Sequence, residues 1–228
     1  MYQITCDNKI LHDVRLENRV VLSPKLNLEV GSNGTLSFKL PPQNALYHSI
    51  EQKKSVIQVW QIDRVNNSTI KTELFRGTAY SVTSDFYNRK QVDCEGELSF
   101  FNDTVVRPYS FQGDVDTLFK QYVNNHNLQV NKEKRFTPRY CSVIDSNNYI
   151  TRANINYPTT KNEMNDKLIN ILGGHFETGE DENNNRYIDY LLNYDRKANQ
   201  TIEFAKNLLD ITQCIKTEDV ATRLIPLR

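Results

Sequence analysis

With 228 residues the chain is long enough for one large domain or two small ones, burying an ordinary core without metal or disulfide support. Lys plus Arg and Asp plus Glu both number 28, a formal charge of +0, so no global field draws it onto DNA, RNA or an anionic membrane. Its 12 Tyr and 10 Phe supply large core pieces, which argues against a disordered chain.

The opening Met1-Tyr2-Gln3-Ile4-Thr5-Cys6-Asp7 has neither the basic start nor the apolar stretch of a secretory leader. No run approaches the roughly 18 apolar residues of a membrane span. A soluble protein without a signal peptide is expected. Cys6, Cys94, Cys141 and Cys214 are far apart and never in C-x-x-C spacing, so reduced core thiols are expected, not a zinc ribbon or redox pair. Asparagine clusters at Asn66-Asn67, Asn124-Asn125, Asn147-Asn148 and Asn183-Asn184-Asn185 mark turns, because the short amide tolerates left-handed backbone.

Through about residue 107 the pattern has period two, the mark of half-buried strands. Leu26, Leu28 and Val30 alternate with Lys25, Asn27 and Glu29; Gly31-Ser32-Asn33-Gly34 then turns the chain into Leu36, Phe38 and Leu40, predicting a hairpin. Pro41-Pro42 ends it, since proline cannot donate to a ladder. A short helix is predicted over Ala45 to Ile50, then an apolar strand from Val56 to Ile62 and a turn at Asn66-Asn67-Ser68. The return runs from Leu74 to Val82, and Val92, Cys94, Gly96 and Leu98 alternate with Asp93, Glu95 and Glu97. Several strands at short spacing predict an antiparallel barrel or sandwich.

After Arg107-Pro108 the period changes. Asp114 precedes Val115, Leu118, Phe119 and Tyr122 at helical spacing and is read as an N-cap, with the helix ending near Asn124-Asn125. A second helix has a capping box in Thr160-x-x-Glu163, an apolar face of Met164, Leu168, Ile171 and Leu172, and a Gly173-Gly174 stop. Phe176-Glu177-Thr178 and the run Arg186 to Leu192 flank an acidic loop and read as a hairpin. Gln200 to Ala205 reads as a strand, and the chain stops on Leu224-Ile225-Pro226-Leu227-Arg228 without a polar tail, predicting a fragment of a longer protein. The fold class is α+β, mainly β. An N-terminal antiparallel β-barrel covers 1–107, an α+β domain with two helices covers 108–195, and 196–228 begins a further, truncated element.

Chemistry has few anchors. His12, His48, His126 and His175 show no metal-ligand spacing, and His175 reads as a helix-terminal histidine favoured by the dipole's negative end. There is no G-x-S-x-G, P-loop or G-x-G-x-x-G. Glu180-Asp181-Glu182 lacks the spacing of a calcium loop. Asp93, Glu95 and Glu97 read as the wet face of one strand, though paired acids can also line a glycosidase cleft. Phe100-Phe101, Tyr109 and Phe111 bunch at the junction of the two units, where a buried contact explains them; aromatic side chains can also stack on sugars or unpaired bases. No catalytic, cofactor-binding or metal-ligating residue is assigned, and no cofactor is expected.

Several stretches carry a resemblance. Ile202-Glu203-Phe204-Ala205-Lys206-Asn207-Leu208-Leu209 with Val220-Ala221-Thr222-Arg223-Leu224-Ile225-Pro226-Leu227, then Gly77-Thr78-Ala79-Tyr80, the run Cys94 to Thr104, and the helix from Thr160-Lys161-Asn162-Glu163 resemble the N-terminal part of the prophage endopeptidase tail family. These are phage minor structural proteins, the tail-associated lysins of siphophages of Gram-positive bacteria. Arg228 stands where that family's T-R-L-x-P-L-G sequence has glycine. The similarity runs nearly end to end, and its motifs are structural.

The resemblance implies a subunit like the baseplate hub of contractile-tailed phages: a tube-forming barrel, an α+β domain and a second barrel beginning after about residue 196. It implies a homotrimer under the tail tube, whose two similar barrels per subunit meet a six-fold tube, with distal tail or tail-tube proteins and the tape-measure protein as partners. It implies a virion-tail location after synthesis in the bacterial cytoplasm, no sequence-specific nucleic acid contact, and any lysin or receptor-binding part further C-terminal. The expected function is therefore structural and non-enzymatic. The alternatives are a cell-wall hydrolase using Glu95 or His175, and a carbohydrate-binding module with exposed tyrosines.

Overall fold

The computed structural model describes residues 1–29, 31–65, 68–183 and 185–193, with Thr201, Glu203, Phe204 and Lys206. The chain divides into two compact units, Met1–Asn193 and Tyr194–Arg228. In the second, Lys206 pairs with Glu203 at 3.0 Å. The predicted turn at Asn66-Asn67, Cys214 and nearly all of the predicted element after residue 196 lie outside the described residues.

The first unit opens with an antiparallel sheet in the order β2-β1-β5-β6-β7-β4-β3. Its strands are β1 (Tyr2–Cys6), β2 (Lys9–His12), β3 (Leu22–Asn27), β4 (Thr35–Leu40), β5 (Val56–Val65), β6 (Ser68–Ser84) and β7 (Lys90–Gly96). Asp7 and Asn8 both have positive φ, 48° and 63°, the backbone that a tight two-residue hairpin between β1 and β2 requires. Alternation sends Ile4, Cys6, Leu36, Phe38, Leu40, Ile57 and Val92 inward, where they share one core with Leu11 and Phe75.

Strands from both ends of the sheet meet in that core because the sheet is strongly curled. Register shifts at Ile4/Thr5, Leu22/Lys25, Val59/Trp60 and Ala79/Ser81 add residues to one strand of a pair, bending it and raising its twist. The result is a curled half-barrel. No ladder joins β2 to β3; the seam between them is held by local hydrogen bonds instead. Val21 N–H donates to His12 Nδ1 at 3.1 Å, and Arg19 Nη1 donates to the Ile10 carbonyl at 2.9 Å. Buried Asn44 donates to the carbonyls of Leu11 and Val20, at 2.9 and 3.0 Å, while its Oδ1 accepts from Leu46 N–H at 2.9 Å. Those contacts replace the predicted helix at Ala45 to Ile50 with successive turns, because Asn44 holds the Leu46 amide that a helix would use.

A second core begins at Leu98, in the 3₁₀ segment Glu97–Asp103, and runs to Tyr190. Around it lie β8 (Tyr109–Gly113), α1 (Val115–Asn127), β9 (Thr137–Cys141), β10 (Ile150–Asn154), α2 (Thr160–Met164), β11 (His175–Glu180) and β12 (Arg186–Leu191). Strands β8 and β10 pair antiparallel, and β11-β12-β9 form a third sheet in which β12 and β9 are parallel. Asp189 sits in the irregular register of that parallel pair and accepts from Tyr140 N–H at 2.9 Å in place of a ladder carbonyl.

Asp114 caps α1 as expected, accepting from Thr117 N–H at 2.8 Å. The helix continues past Asn124-Asn125 to Asn127, because the asparagine amides find partners outside it: Asn125 donates to the Val105 carbonyl at 3.0 Å and Asn127 to the Phe136 carbonyl at 2.7 Å. The cap of α2 is Thr159 rather than Thr160; its hydroxyl accepts from Asn162 N–H at 3.3 Å. Thr160 is fully buried with its hydroxyl 2.8 Å from that of Thr104, and Glu163 accepts from Tyr109 at 2.7 Å instead of closing a capping box. Beyond α2 the helix widens into a π segment, Asn165–Ile169, and ends at Leu172 before Gly173 at φ 77°.

Gly96 joins the two cores, and its backbone is ordinary (φ −67°) but crowded. A Cβ there would lie 1.8 Å from the Asn33 carbonyl oxygen. Gly96→Ala is therefore expected to destabilise the unit by about 2–3 kcal/mol, read as a lower urea midpoint; a midpoint equal to wild type would refute the close approach.

Candidate functional site

Between the two cores lies a cluster of charged side chains drawn from distant parts of the chain. Arg76 on β6 donates through Nη2 to Glu73 at 2.8 Å and through Nη1 to Glu180 on β11. Arg186 on β12 donates through Nε to Glu97 at 2.6 Å and through Nη1 to the Glu133 carbonyl. The Glu97 side chain is 2% exposed and that of Arg186 15%. Burial raises the Glu97 carboxyl above its ordinary value, against the opposing pull of Arg186 and Arg76. Burial also disfavours the Arg76 charge, but Glu73, Glu180 and Glu97 together outweigh it and push that guanidinium upward. A polar chain continues outward, with Gln58 Nε2 donating to Glu73 at 2.8 Å and Trp60 Nε1 donating to Thr5 at 3.1 Å. Each arginine answers a carboxylate, so the arrangement is a charge-paired clasp between the half-barrel and the β11–β12 hairpin.

Of the acids read as one wet strand face, Asp93 and Glu95 do share the outward face of β7, and Glu97 does not. Asp93 and Glu95 are half-buried on β7, with Asp93 accepting from Gln91 at 2.9 Å. Glu97 has left the strand, which ends at Gly96, and belongs to the clasp. His175 opens β11, beyond the helix end at Leu172, and is 3% exposed; burial lowers its pKa. Glu95 and His175 stand in different sheets. Phe100 and Phe101 lie inside the second core, with Tyr109 and Phe111 packed against it. Asp181 organises the β11–β12 tip, accepting from Asn183 N–H at 2.9 Å and Asn185 N–H at 2.8 Å.

Two further polar groups are buried around α2. Thr104 Oγ1 lies 3.0 Å from His126 Nδ1, whose Nε2 is 2.9 Å from the Lys134 carbonyl. Tyr109 bridges the Tyr122 hydroxyl and Glu163, and burial raises both phenols. These satisfied networks hold α1 and α2 to the segments Thr104 and Tyr109 anchor. Lys161 differs. It is 6% exposed, its Nζ has no hydrogen-bond partner and lies 6.0 Å from the Phe176 ring, and burial lowers its pKa to about 8. Nothing in the polar string Thr160-Lys161-Asn162-Glu163 signals that burial. Arg76 had one faint signal, a charge in an inward-outward alternation just before a glycine. Among the described residues no group of three or more His, Cys, Asp or Glu could hold a metal, and Cys6, Cys94 and Cys141 are free thiols.

No family model matches the chain, and no curated protein matches it. Among solved structures, the prophage tail protein gp18 from Listeria monocytogenes is similar with a TM-score of 0.49 at 11% identity, over 82% of this chain and 50% of that one. The E. coli c3393 protein is similar with a TM-score of 0.42 at 9% identity, over 85% of this chain and 51% of that one. It is described as a component of the type VI secretion system with structural similarity to the T4 bacteriophage tail proteins gp27 and gp5. The chain spans about half the length of each.

Two outcomes are expected from the buried charges. Arg186→Met strands the Glu97 carboxylate and should cost about 3–5 kcal/mol near pH 7. Glu97 binds its proton more tightly folded than unfolded, so its destabilising share is absent below the ordinary carboxyl range and full above its raised folded value. The Arg186→Met loss should thus shrink toward about pH 4, and urea melts at both pH values check it. For Lys161 the folded pKa of about 8 lies below the ordinary 10.5, so its penalty is full below 8 and fades as pH rises to 10.5. Lys161→Met should gain about 1–3 kcal/mol near pH 7 and little near pH 10.5, again read by urea unfolding.

Proposed function

We propose that this chain is the hub-like, N-terminal part of a phage or prophage tail-tip protein. It is a non-enzymatic subunit that closes and extends the tail tube, within a longer protein that carries a lysin or receptor-binding part. The observation that carries the reading is the order of elements: a curled antiparallel half-barrel, then an α+β part with two helices. That is the order implied by the resemblance of Gly77-Thr78-Ala79-Tyr80, the run Cys94 to Thr104 and the helix beginning at Thr160. The clasp adds a physical reason: a conduit wall has to transmit load between its parts, and Arg76 and Arg186 tie the half-barrel to the β11–β12 hairpin.

In this reading the parts divide near residues 107 and 196, and three copies form a ring beneath the tube. Distal tail or tail-tube proteins and the tape-measure protein are its neighbours. The protein is made in the bacterial cytoplasm and works in the virion tail, where DNA passes through the ring during ejection. The endopeptidase activity in the family's name belongs to the further C-terminal part.

Antibody raised against residues 1–193 and coupled to gold should label one end of the tails of particles induced from the source strain. Intact particles that lack the epitope would remove the reading. In a cell-wall zymogram the purified chain should clear nothing. Clearing that is lost in Glu95→Gln or His175→Ala would replace the structural role with a hydrolase.

A further inference from the structure

The half-barrel carries an apolar groove and, elsewhere on the same sheet, a rigid aromatic projection of matching chemistry. The groove, about 430 Å³, opens along the seam that lacks a ladder and is walled by Met1, Tyr2, Val14, Pro24, Leu26 and Leu74. Its lining side chains include no Asp, Glu, Lys or Arg; Tyr2 and His12 supply its polar atoms, and the Met1 ammonium at its rim donates to the Ile62 carbonyl. His12 Nδ1 accepts from Val21 N–H, which leaves the ring proton on Nε2 as a donor. Strand addition is blocked at this edge. Pro24 has no N–H to give, Ser23 has φ 47°, and the register of β3 shifts between Leu22 and Lys25. What enters must therefore be side chains.

The projection is the β6–β7 turn. Phe86 is 94% exposed and Tyr87 70%, with ring centroids 5.5 Å apart and nearly perpendicular. They are held by Asp85, which accepts from Tyr87 N–H and Arg89 N–H, each at 2.9 Å, and from Arg89 Nε at 2.8 Å. Tyr47 donates its hydroxyl to the Asn88 carbonyl, fixing the turn from the other side. Adjacent aromatics on a turn whose backbone is fixed by hydrogen bonds suit a binding anchor, because little backbone freedom is lost on docking.

The projection cannot reach its own groove. Leu74 in the groove wall and Ser84 beneath the turn are on one strand, roughly 30 Å apart at about 3.3 Å per residue. We infer that the Phe86–Tyr87 turn of one copy inserts into the seam groove of a second copy, with the Tyr87 hydroxyl accepting from His12 Nε2. Such a contact is head-to-tail, so each copy keeps a free turn and a free groove, and repetition gives a ring or a chain. Two aromatics cover roughly 300–500 Å² on their side, well short of the area of a stable complex, so the single contact is weak. The inference does not rest on the tail reading.

Sedimentation of the full chain should show association over roughly 0.1–1 mM. Phe86→Ser/Tyr87→Ser and, separately, Val14→Glu should each stay monomeric while keeping wild-type thermal melts. Both sites are exposed, so folding is not at stake. Mixing the two variants leaves one intact turn and one intact groove, and should give a one-to-one dimer and nothing larger. A wild-type chain monomeric throughout that range overturns the inference. So does association that survives in both variants, or a mixture that stays monomeric. Association surviving in both variants would leave the tail reading to its own labelling experiment.

Discussion

The structure depends on a sheet curled hard enough to bring its two ends to one core without a ladder between them. Strands β2 and β3 are successive in the chain yet lie at opposite ends of the strand order. A flat sheet would leave both edges and the whole inner face wet. Four register shifts bend it, and Leu11 from one end shares a dry interior with Leu36 and Phe38 from the other. Asn44 then does with one side chain what missing ladder bonds would have done, satisfying the carbonyls of Leu11 and Val20 across the seam. A buried carbonyl without such a partner would be penalised by roughly 1–3 kcal/mol, so the seam is a place where one amide decides whether the curl holds.

The clasp between the cores follows a different logic. Buried ion pairs contribute little net stability, because desolvation consumes most of the attraction, and the raised Glu97 carboxyl is the signature of that balance. Their effect lies in geometry. Glu97 follows Gly96, whose bare Cα lets the chain pass against the Asn33 carbonyl, so the carboxylate arrives at a fixed place for Arg186. Arg76 reaches Glu180 from the other side of the junction. With two bidentate-capable guanidinium groups answering acids from three segments, the β11–β12 hairpin has one register against the half-barrel.

Much of this was legible in the residues, and the gaps have physical causes. Alternation located β4, β5 and β7, and Asp114 marked the start of α1, because period and capping are local properties. The hairpin of β1 and β2 also had a local signal in Asp7-Asn8, but the polar, mixed stretch around it hid the alternation of Ile4 and Cys6 with Gln3 and Thr5, all four of which are buried. Strands β8 and β10 do alternate, Tyr109 and Phe111 facing the core while Ser110 and Gln112 are exposed, but each is only five residues long and exists through pairing with a distant partner, and β9 has no clean alternation at all. Thr159 and Thr160 are indistinguishable as caps by type; what selects Thr159 is that Thr104 claims the Thr160 hydroxyl. The clasp was invisible for the same reason, since Glu97 and Arg186 are far apart in sequence and each looks like an ordinary surface charge.

The incomplete closure also explains why the groove exists. A fully laddered barrel of this size would fill its interior with its own side chains and expose no edge. Here the strand order stops at β2 and β3, so half-buried Leu26 lines the opening while Leu36, Phe38 and Leu40 are sealed behind it. Pro24 and the Ser23 backbone make that opening unsuitable for another strand, which protects the edge from indiscriminate pairing. The same residues leave the opening selective for something short, apolar and rigid. A closed barrel would have to recruit partners through its loops alone, whereas the half-barrel offers both a loop and a socket.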